Sequence, residues 1–393
     1  MNHGPLSGVR VLDLTNVLAG PYCSYQLSLF GAEVIKIEVP GSGDLSRQLG
    51  ASAELNGKKL GASFLAQNAG KKSVELNLKN EHDKGLFIEM VKKSDVVLEN
   101  FRPGVMERLG FGWEALKTIN PGIIYCAISG FGQHGPMSTR PAYDQIIQGL
   151  SGMMSVTGNE DDAPLRTGFP VCDTVGGLAA AMAITASLAG RAKDGKGHFL
   201  DISMLEASAS AMGWAVSNYL VTGQIPSPMG NDNATAAPSG TFHTHSGLIN
   251  IAANKQEQFE ILCRLIGRED LITDPKFLER ESRKINRELL NIEIDKGLST
   301  KDASEWETLL SDSGVPAARV LTVPQMVELD QLAYRNFFTE LPFPNDPNRT
   351  LTVSGNGVLI DNESLKAGGP PPLLGQHNQE ILEIFAKDTN QPG

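Results

Sequence analysis

The amino-acid sequence predicts an α/β fold built on an open, parallel sheet. Three observations carry this reading: short apolar runs alternate with helix-forming stretches from Val9 to Ser129, Pro21 and Gly31 punctuate the first of those helices, and a second apolar run follows it at once. Val9 to Leu14 reads as a buried strand and 15–21 as the turn after it. Pro21 suits the first turn of a helix carrying Tyr22 to Leu29, and Gly31 suits its end. Glu33 to Glu38 is the second strand, which gives a βαβ start with a right-handed crossover. A loop rich in Gly and Ser runs from Pro40 to about Gly70. Then come a third strand (Ser73 to Leu78), an amphipathic helix (His82 to Lys93), a fourth strand (Asp95 to Leu98) and a fifth (Ile123 to Ser129). Such a sheet places its ligand crevice at the carboxyl ends of the strands. No GxGxxG follows the first strand and no GxxxxGK[ST] occurs, which argues against dinucleotide and nucleoside-triphosphate binding.

Small and apolar residues dominate Leu178 to Ala192 and Ser203 to Leu220, as in long, closely packed helices. Thr222 to Ser246, rich in Gly, Pro, Asn, Ser and Thr, reads as linker and loop. A smaller α+β segment follows, with a strand at Leu248 to Ala252 and helices near Gln256 to Ile266, Lys284 to Leu298 and Lys301 to Ser313. Asn345 to Asn348 reads as a turn, Pro370 to Pro372 as a stiff tail, and Gln379 to Lys387 as a last helix.

At 393 residues the chain exceeds one compact core, so two domains are expected. Hydrophobic content of 41% and charged content of 20% describe an ordinary globular protein. The net charge of -11 argues against nucleic acid as a partner. Cys23, Cys126, Cys172 and Cys263 are scattered with no metal spacing, which fits reduced thiols. His243 and His245 share one face of a possible strand with no third ligand in view, so no metal site is expected. The first five residues lack a secretory pattern, and Gly176 to Gly190 is too short and alanine-rich for a membrane span. A cytoplasmic protein is expected.

One segment stands out: Thr167-Gly-Phe-Pro-Val-Cys-Asp-Thr-Val-Gly-Gly177. Asp173 follows a short apolar run, precedes two glycines and opens an apolar helix. A carboxylate there sits near helix-start amides, and the glycines would let backbone approach a ligand. Taken alone, the segment makes Asp173 first of all an N-cap.

The wider pattern goes further. Gly8 to Thr15, Ala19-Gly-Pro21, Leu29 to Glu38 and Pro40 to Asp44 resemble the opening of the family III coenzyme A transferases, which include formyl-CoA transferase, carnitine CoA-transferase and α-methylacyl-CoA racemase. The resemblance continues through Lys71 to Asn77, Glu99 to Gly104, Leu109 to Gly112, Gly130 to Pro136, Pro141 to Asp144, Gly195 to Gly197, Asp201 to Met204 and Pro370 to His377. It implies a Rossmann-like large domain built from both chain ends (1–224 and 326–393), a smaller α+β domain (225–325), and an interlocked homodimer with its active site between domains and subunits. It also makes Asp173 a nucleophile that carries CoA as an aspartyl thioester, with no further cofactor. Coenzyme A needs cations and backbone amides for its phosphates. The resemblance places Lys71, Lys72, Asn100, Phe101 and Arg108 at that site; read without it, the charged ones among them are equally a solvated surface. The family often has an arginine where Val39 stands, and Arg102 or Arg140 is the expected substitute.

The loop Val17, Leu18 and Ala19 corresponds to a segment beside the acyl group. Leu18 replaces the glutamine of formyl-CoA transferase, and Asn231 to Ala237 replaces its glycine-rich lid, so formate and oxalate are not the expected acids. Tyr143 stands where the racemase branch has its histidine base; a phenol is a poor base near neutrality, so transfer is preferred to isomerisation. The segments Tyr143-Asp144, Asp162 to Gly168 and Asn254 to Gln258 resemble the branch that moves CoA from succinyl-CoA to short dicarboxylates such as itaconate, hydroxymethylglutarate, malate or citramalate. Arg166 is either a clamp for a distal carboxylate or a surface residue.

Overall fold

The structure, a computed structural model, describes residues 4–386. Lys387, where the last predicted helix ends, and Met1 to His3 lie outside that range. Six parallel strands form the main sheet: β1 (Arg10–Asp13), β2 (Glu33–Glu38), β3 (Lys72–Glu75), β4 (Val96–Glu99), β5 (Ile124–Ser129) and β6 (Phe199–Ser203), in the order β3-β2-β1-β4-β5-β6. The chain runs outward from β1 and then returns to β4 on the other side of β1, so the strand order reverses between them. In open α/β sheets ligands bind at that reversal. Every residue of β4 and β5 is buried, as a sheet covered on both faces requires.

One face packs Leu12, Ile35, Val74 and Tyr125 against helix Glu81–Lys92 and against Ile381 and Phe385 of helix Asn378–Ala386. The other packs Val11, Val34, Leu98 and Cys126 against helices Ala19–Leu29 and Val171–Asp194. The predicted strands of this sheet recur within a few residues; β6 is the one of the six missed, and outside the sheet the antiparallel pair Phe338–Phe343 and Asp346–Ser354 was missed too, its second strand taking in most of the stretch read as a turn at Asn345 to Asn348. Among the described residues β6 pairs only with β5 and is mostly half-buried, so its run Phe-Leu-Asp-Ile-Ser lacks the unbroken apolar signal of β5.

Two helices differ instructively from expectation. The long helix starts at Val171 instead of Leu178, which places Asp173 inside its first turn, with Pro170 at the N-cap. Its two glycines serve packing. A Cβ on Gly177 would lie 2.5 Å from the Ala19 carbonyl oxygen, and one on Gly176 3.0 Å from Met204 Cγ. They let the long helix press on the first helix and on Met204. At 24 residues this helix is also long and apolar enough to cross a membrane by length and composition, contrary to expectation, although Ala180, Ala181 and Ile184 are buried against the sheet. The expected Ser203–Leu220 helix breaks into Met204–Ala211 and Trp214–Thr222, because Gly213 adopts φ 44°.

The described residues divide into two compact units. The first takes those up to Met153, Arg166–Gln224 and those from Asp330 onward; the second takes Met154–Leu165 and Ile225–Leu329. The second holds an antiparallel sheet of β7 (Ser239–His243), β8 (Leu248–Ala252) and β9 (Ala317–Arg319), with Phe242, Ile249, Phe259, Leu290 and Trp306 in its core. β7 lies in the stretch read mainly as loop. Among the described residues no group of three His, Cys, Asp or Glu side chains is placed to hold a metal, and His243 instead meets Asp295 at 3.1 Å.

Candidate active site

A cavity of about 230 Å³ opens at the carboxyl end of the sheet, on the first unit. The loop after β1 lines it with Val17, Leu18 and Ala19, and the turn after β4 with Asn100, Phe101 and Arg102. Arg140, Tyr143 and Asp173 complete the predicted residues that it brings together. A second cavity of about 470 Å³ lies over the ends of β1 to β4, bounded by Val39, Leu76, Asn77, Lys79 and Leu109. Asn16 and Phe101 line both. A larger groove, about 1010 Å³, lies open on the second unit's sheet, but its lining has a single ionisable residue, Asp232, and none of the predicted site residues. Chemistry, not size, selects the Asp173 cavity.

The wall formed by the β1 loop is held from several sides. Val17 adopts φ 69°, a left-handed conformation that is unfavourable for a β-branched residue. Its N–H donates to Asp44 Oδ1 (3.0 Å), while the Asn100 side chain clasps the Asn16 backbone, Oδ1 accepting its N–H and Nδ2 donating to its carbonyl, both at 2.8 Å. Lys36 Nζ reaches Asp44 (2.9 Å) and donates to the Thr15 carbonyl (2.8 Å). Several partners therefore fix one strained residue beside the nucleophile candidate, an arrangement common at functional sites.

Asp173 is half-buried. Its pKa is pushed up to about 7, first by burial and then by the carboxylate of Asp144. A helix N-terminus favours an anion by roughly 0.3–1 kcal/mol, so burial and the neighbouring charge win. Asp144 Oδ1 accepts the Cys172 N–H (2.8 Å) and, at 3.4 Å, the Asp173 N–H; Gln148 Nε2 donates to Oδ2 (2.7 Å). Asp144, not Asp173, thus caps the long helix, which corrects the simplest reading of Asp173 and leaves its side chain free to face the cavity. Asp144 was visible in the sequence only as part of a motif. Lys79 and Ser129 carried no signal of their own.

Three predicted contacts fall elsewhere. Lys71 is fully enclosed: Nζ meets Asp13 Oδ2 (3.1 Å), the Pro21 carbonyl (2.9 Å), Ser24 Oγ (2.8 Å) and Asn68 Oδ1 (2.8 Å). A ligand phosphate cannot reach it, so Lys71 is a core ion in this structure. Lys72 is engaged by Glu33 (2.8 Å) and Glu380 (2.7 Å). Arg108 is exposed and folds toward Gly104, outside both cavity linings. For Lys71 and Lys72 the sequence signal is one that cations neutralising acids of the sheet share. Arg102 and Arg140 line the Asp173 cavity and not the one that Val39 borders, where Lys79 is the cation among the lining residues. Arg166 is exposed, donates from Nε to the Thr167 carbonyl (3.2 Å) and lies outside the Asp173 cavity lining.

Over residues 6–378 the chain matches CoA-transferase family III. It belongs to that family, and is an enzyme of it. It is 39% identical to the acetyl-CoA:oxalate CoA-transferase of Acetobacter aceti, over 98% of this chain and 96% of that protein. It is 36% identical to the succinyl-CoA:glutarate CoA-transferase of Mus musculus, over 96% of this chain and 86% of that protein. The crystal structure of a CAIB/BAIF family protein from Brucella suis superposes with a TM-score of 0.85 at 31% identity, covering 97% of this chain and 99% of that one.

Proposed function

We propose that the protein moves coenzyme A from succinyl-CoA to a short dicarboxylic acid through Asp173. The observation that carries this reading is the carboxylate of Asp173 in a cavity adjoining a second, larger one at the strand-order reversal. The larger cavity takes the nucleotide, with Lys79 near a phosphate; pantetheine then passes Asn16 and Phe101 to bring its thioester to Asp173. The carboxylate attacks the thioester carbonyl, the C–S bond breaks, and CoA leaves as a thiolate. That thiolate attacks the Asp173 carbonyl and expels the first acid, leaving an aspartyl-CoA thioester. The acceptor carboxylate attacks this thioester and releases the thiolate again. The thiolate then takes the acceptor's acyl group from the anhydride and restores Asp173.

Glutarate is the first acceptor to test, since the mouse relative is named for it; citramalate, malate, itaconate and hydroxymethylglutarate follow. Oxalate belongs in the panel as well: the Acetobacter relative is named for it, and that likeness weighs against the expectation drawn from Leu18 and the absent lid. The two compact units support a two-domain layout, and Met182 (70% exposed), Trp214 (79%), Leu220 (74%) and Val221 (82%) leave apolar surface that an interlocked homodimer would cover.

The test is acyl exchange between succinyl-CoA and this panel, read by mass spectrometry, beside 2-methylacyl-CoA in deuterium oxide. New acyl-CoA products are expected. Rapid deuterium uptake with no transfer to any acid would make the protein an isomerase instead. A pH profile gives a second check. Asp173 must be ionised to attack, so kcat/KM for the donor should rise with pH through an apparent pKa near 7. Asp144→Asn removes the neighbouring charge and should shift that limb to lower pH. A limb that stays in place would assign it to another group.

A further inference from the structure

We infer that Arg140, with the hydroxyl of Ser129 close by, receives the second carboxylate of the dicarboxylic acid; the inference rests on the transferase reading above. Ser129 ends β5 and lines the Asp173 cavity. Its Oγ is buried and finds no hydrogen-bond partner among the described residues. Such an orphaned hydroxyl costs about 1–3 kcal/mol, a cost that an acceptor atom of a ligand would remove.

Arg140, an exposed residue, reaches the same cavity from a different segment, and its guanidinium has no hydrogen-bonding or ion-pair partner among the described residues. The two segments touch: a Cβ on Gly130 would lie 2.3 Å from Ala142 Cβ. The residue after Ser129 therefore lies against the second residue after Arg140.

Charge explains why a cation is needed there. A diacid brings two carboxylates toward Asp173 and Asp144. One is converted to the thioester, but the other keeps its charge throughout and is repelled unless it is paired. The planar fork of an arginine matches a carboxylate with two parallel hydrogen bonds. Arg102 is less suited, because it follows Phe101, which also lines the larger cavity, and so lies on the coenzyme side. Arg140 lies on the side of Tyr143. Cavity size agrees in rank: this cavity, about 230 Å³, is the smaller of the two, and the one assigned to the nucleotide is about 470 Å³.

The experiment is calorimetric binding of glutarate and of pentanoate, its single-carboxylate counterpart, to the full chain saturated with CoA. Wild type should bind glutarate more tightly than pentanoate. Arg140→Gln should weaken glutarate roughly tenfold while leaving pentanoate and CoA affinity unchanged, and Ser129→Ala should weaken glutarate about threefold. Unchanged glutarate affinity in Arg140→Gln, a parallel loss of CoA affinity, or a wild type that binds neither acid would each overturn the assignment. CoA transfer is measured on the same samples. Glutarate binding that depends on Arg140 with no transfer by wild type would leave this acid site standing and remove the transferase reading.

Discussion

Replacing Asp173 by alanine should lower CoA transfer by at least about 10³-fold, because Asp173 is the one carboxylate among the described residues lining the cavity. The cavity's remaining lining residues stay in place, so CoA affinity should hold. Incubating wild type with succinyl-CoA and then hydroxylamine should tag Asp173 as a hydroxamate, found by peptide mass spectrometry. A tag on another carboxylate, or substantial turnover by Asp173→Ala, would overturn the mechanism. The same substitution should stabilise the fold. In the folded protein Asp173 keeps its proton up to about pH 7, whereas the unfolded chain loses it near 3.8. Between those values the folded state holds more protons, so stability falls as pH rises through that window. Above pH 7 the charged carboxylate remains a burden that alanine removes. At about pH 8 the variant should therefore melt a few degrees higher than wild type, and the gap should close in acid. An equal or lower melting temperature at that pH would mean that Asp173 is not held against its own charge.

The central parallel strands were legible in the sequence because a sheet covered on both faces needs unbroken apolar runs, and β4 and β5 supply them. Asp173 was legible by its setting: an acid after an apolar run, before small residues that a packed helix needs. The reason for those glycines was not. Only the structure shows that Gly177 faces Ala19, a residue of the cavity wall, so that the helix bearing Asp173 and the loop opposite it are drawn together. Nor could sequence separate cations that face a ligand from cations that face an acid. Lys71 and Lys79 each lie beside β3, one on either side; the first is enclosed by Asp13 and the second borders a cavity. Ser129 was invisible for another reason. A serine at a strand end is ordinary, and what marks it is the absence of a partner, which depends on every neighbour at once.

The enclosed ions lead to the second large effect. Asp13, Lys36 and Lys71 have fully buried side chains, with Lys36 3.9 Å and Lys71 3.1 Å from Asp13 Oδ2. Burial alone would raise the Asp13 pKa, but Lys36, Lys71 and the Ser24 and Thr15 hydroxyls outweigh it and hold Asp13 at about 2. Burial also lowers Lys71 to about 8, against the pull of Asp13. Replacing Asp13 by asparagine removes the charge that both lysines face at the root of the β1 loop. Breaking such a buried set costs about 3–5 kcal/mol, a large part of the stability of an ordinary domain, so Asp13→Asn should melt far below wild type or fail to accumulate. Lys71→Met tests the same network more gently, since it replaces the ammonium by an apolar group of similar length. It should lower the melting temperature while leaving the KM for acyl-CoA near the wild-type value in the folded protein. The pH dependence has a definite sign. The folded-state pKa of Asp13 lies below its unfolded value, so its contribution is complete above about pH 4 and is lost as pH falls toward 2. Wild type should therefore lose stability steeply in that acid window, and Asp13→Asn much less so. A raised KM for acyl-CoA in Lys71→Met with an unchanged melting temperature would return Lys71 to the ligand and refute its place in the core.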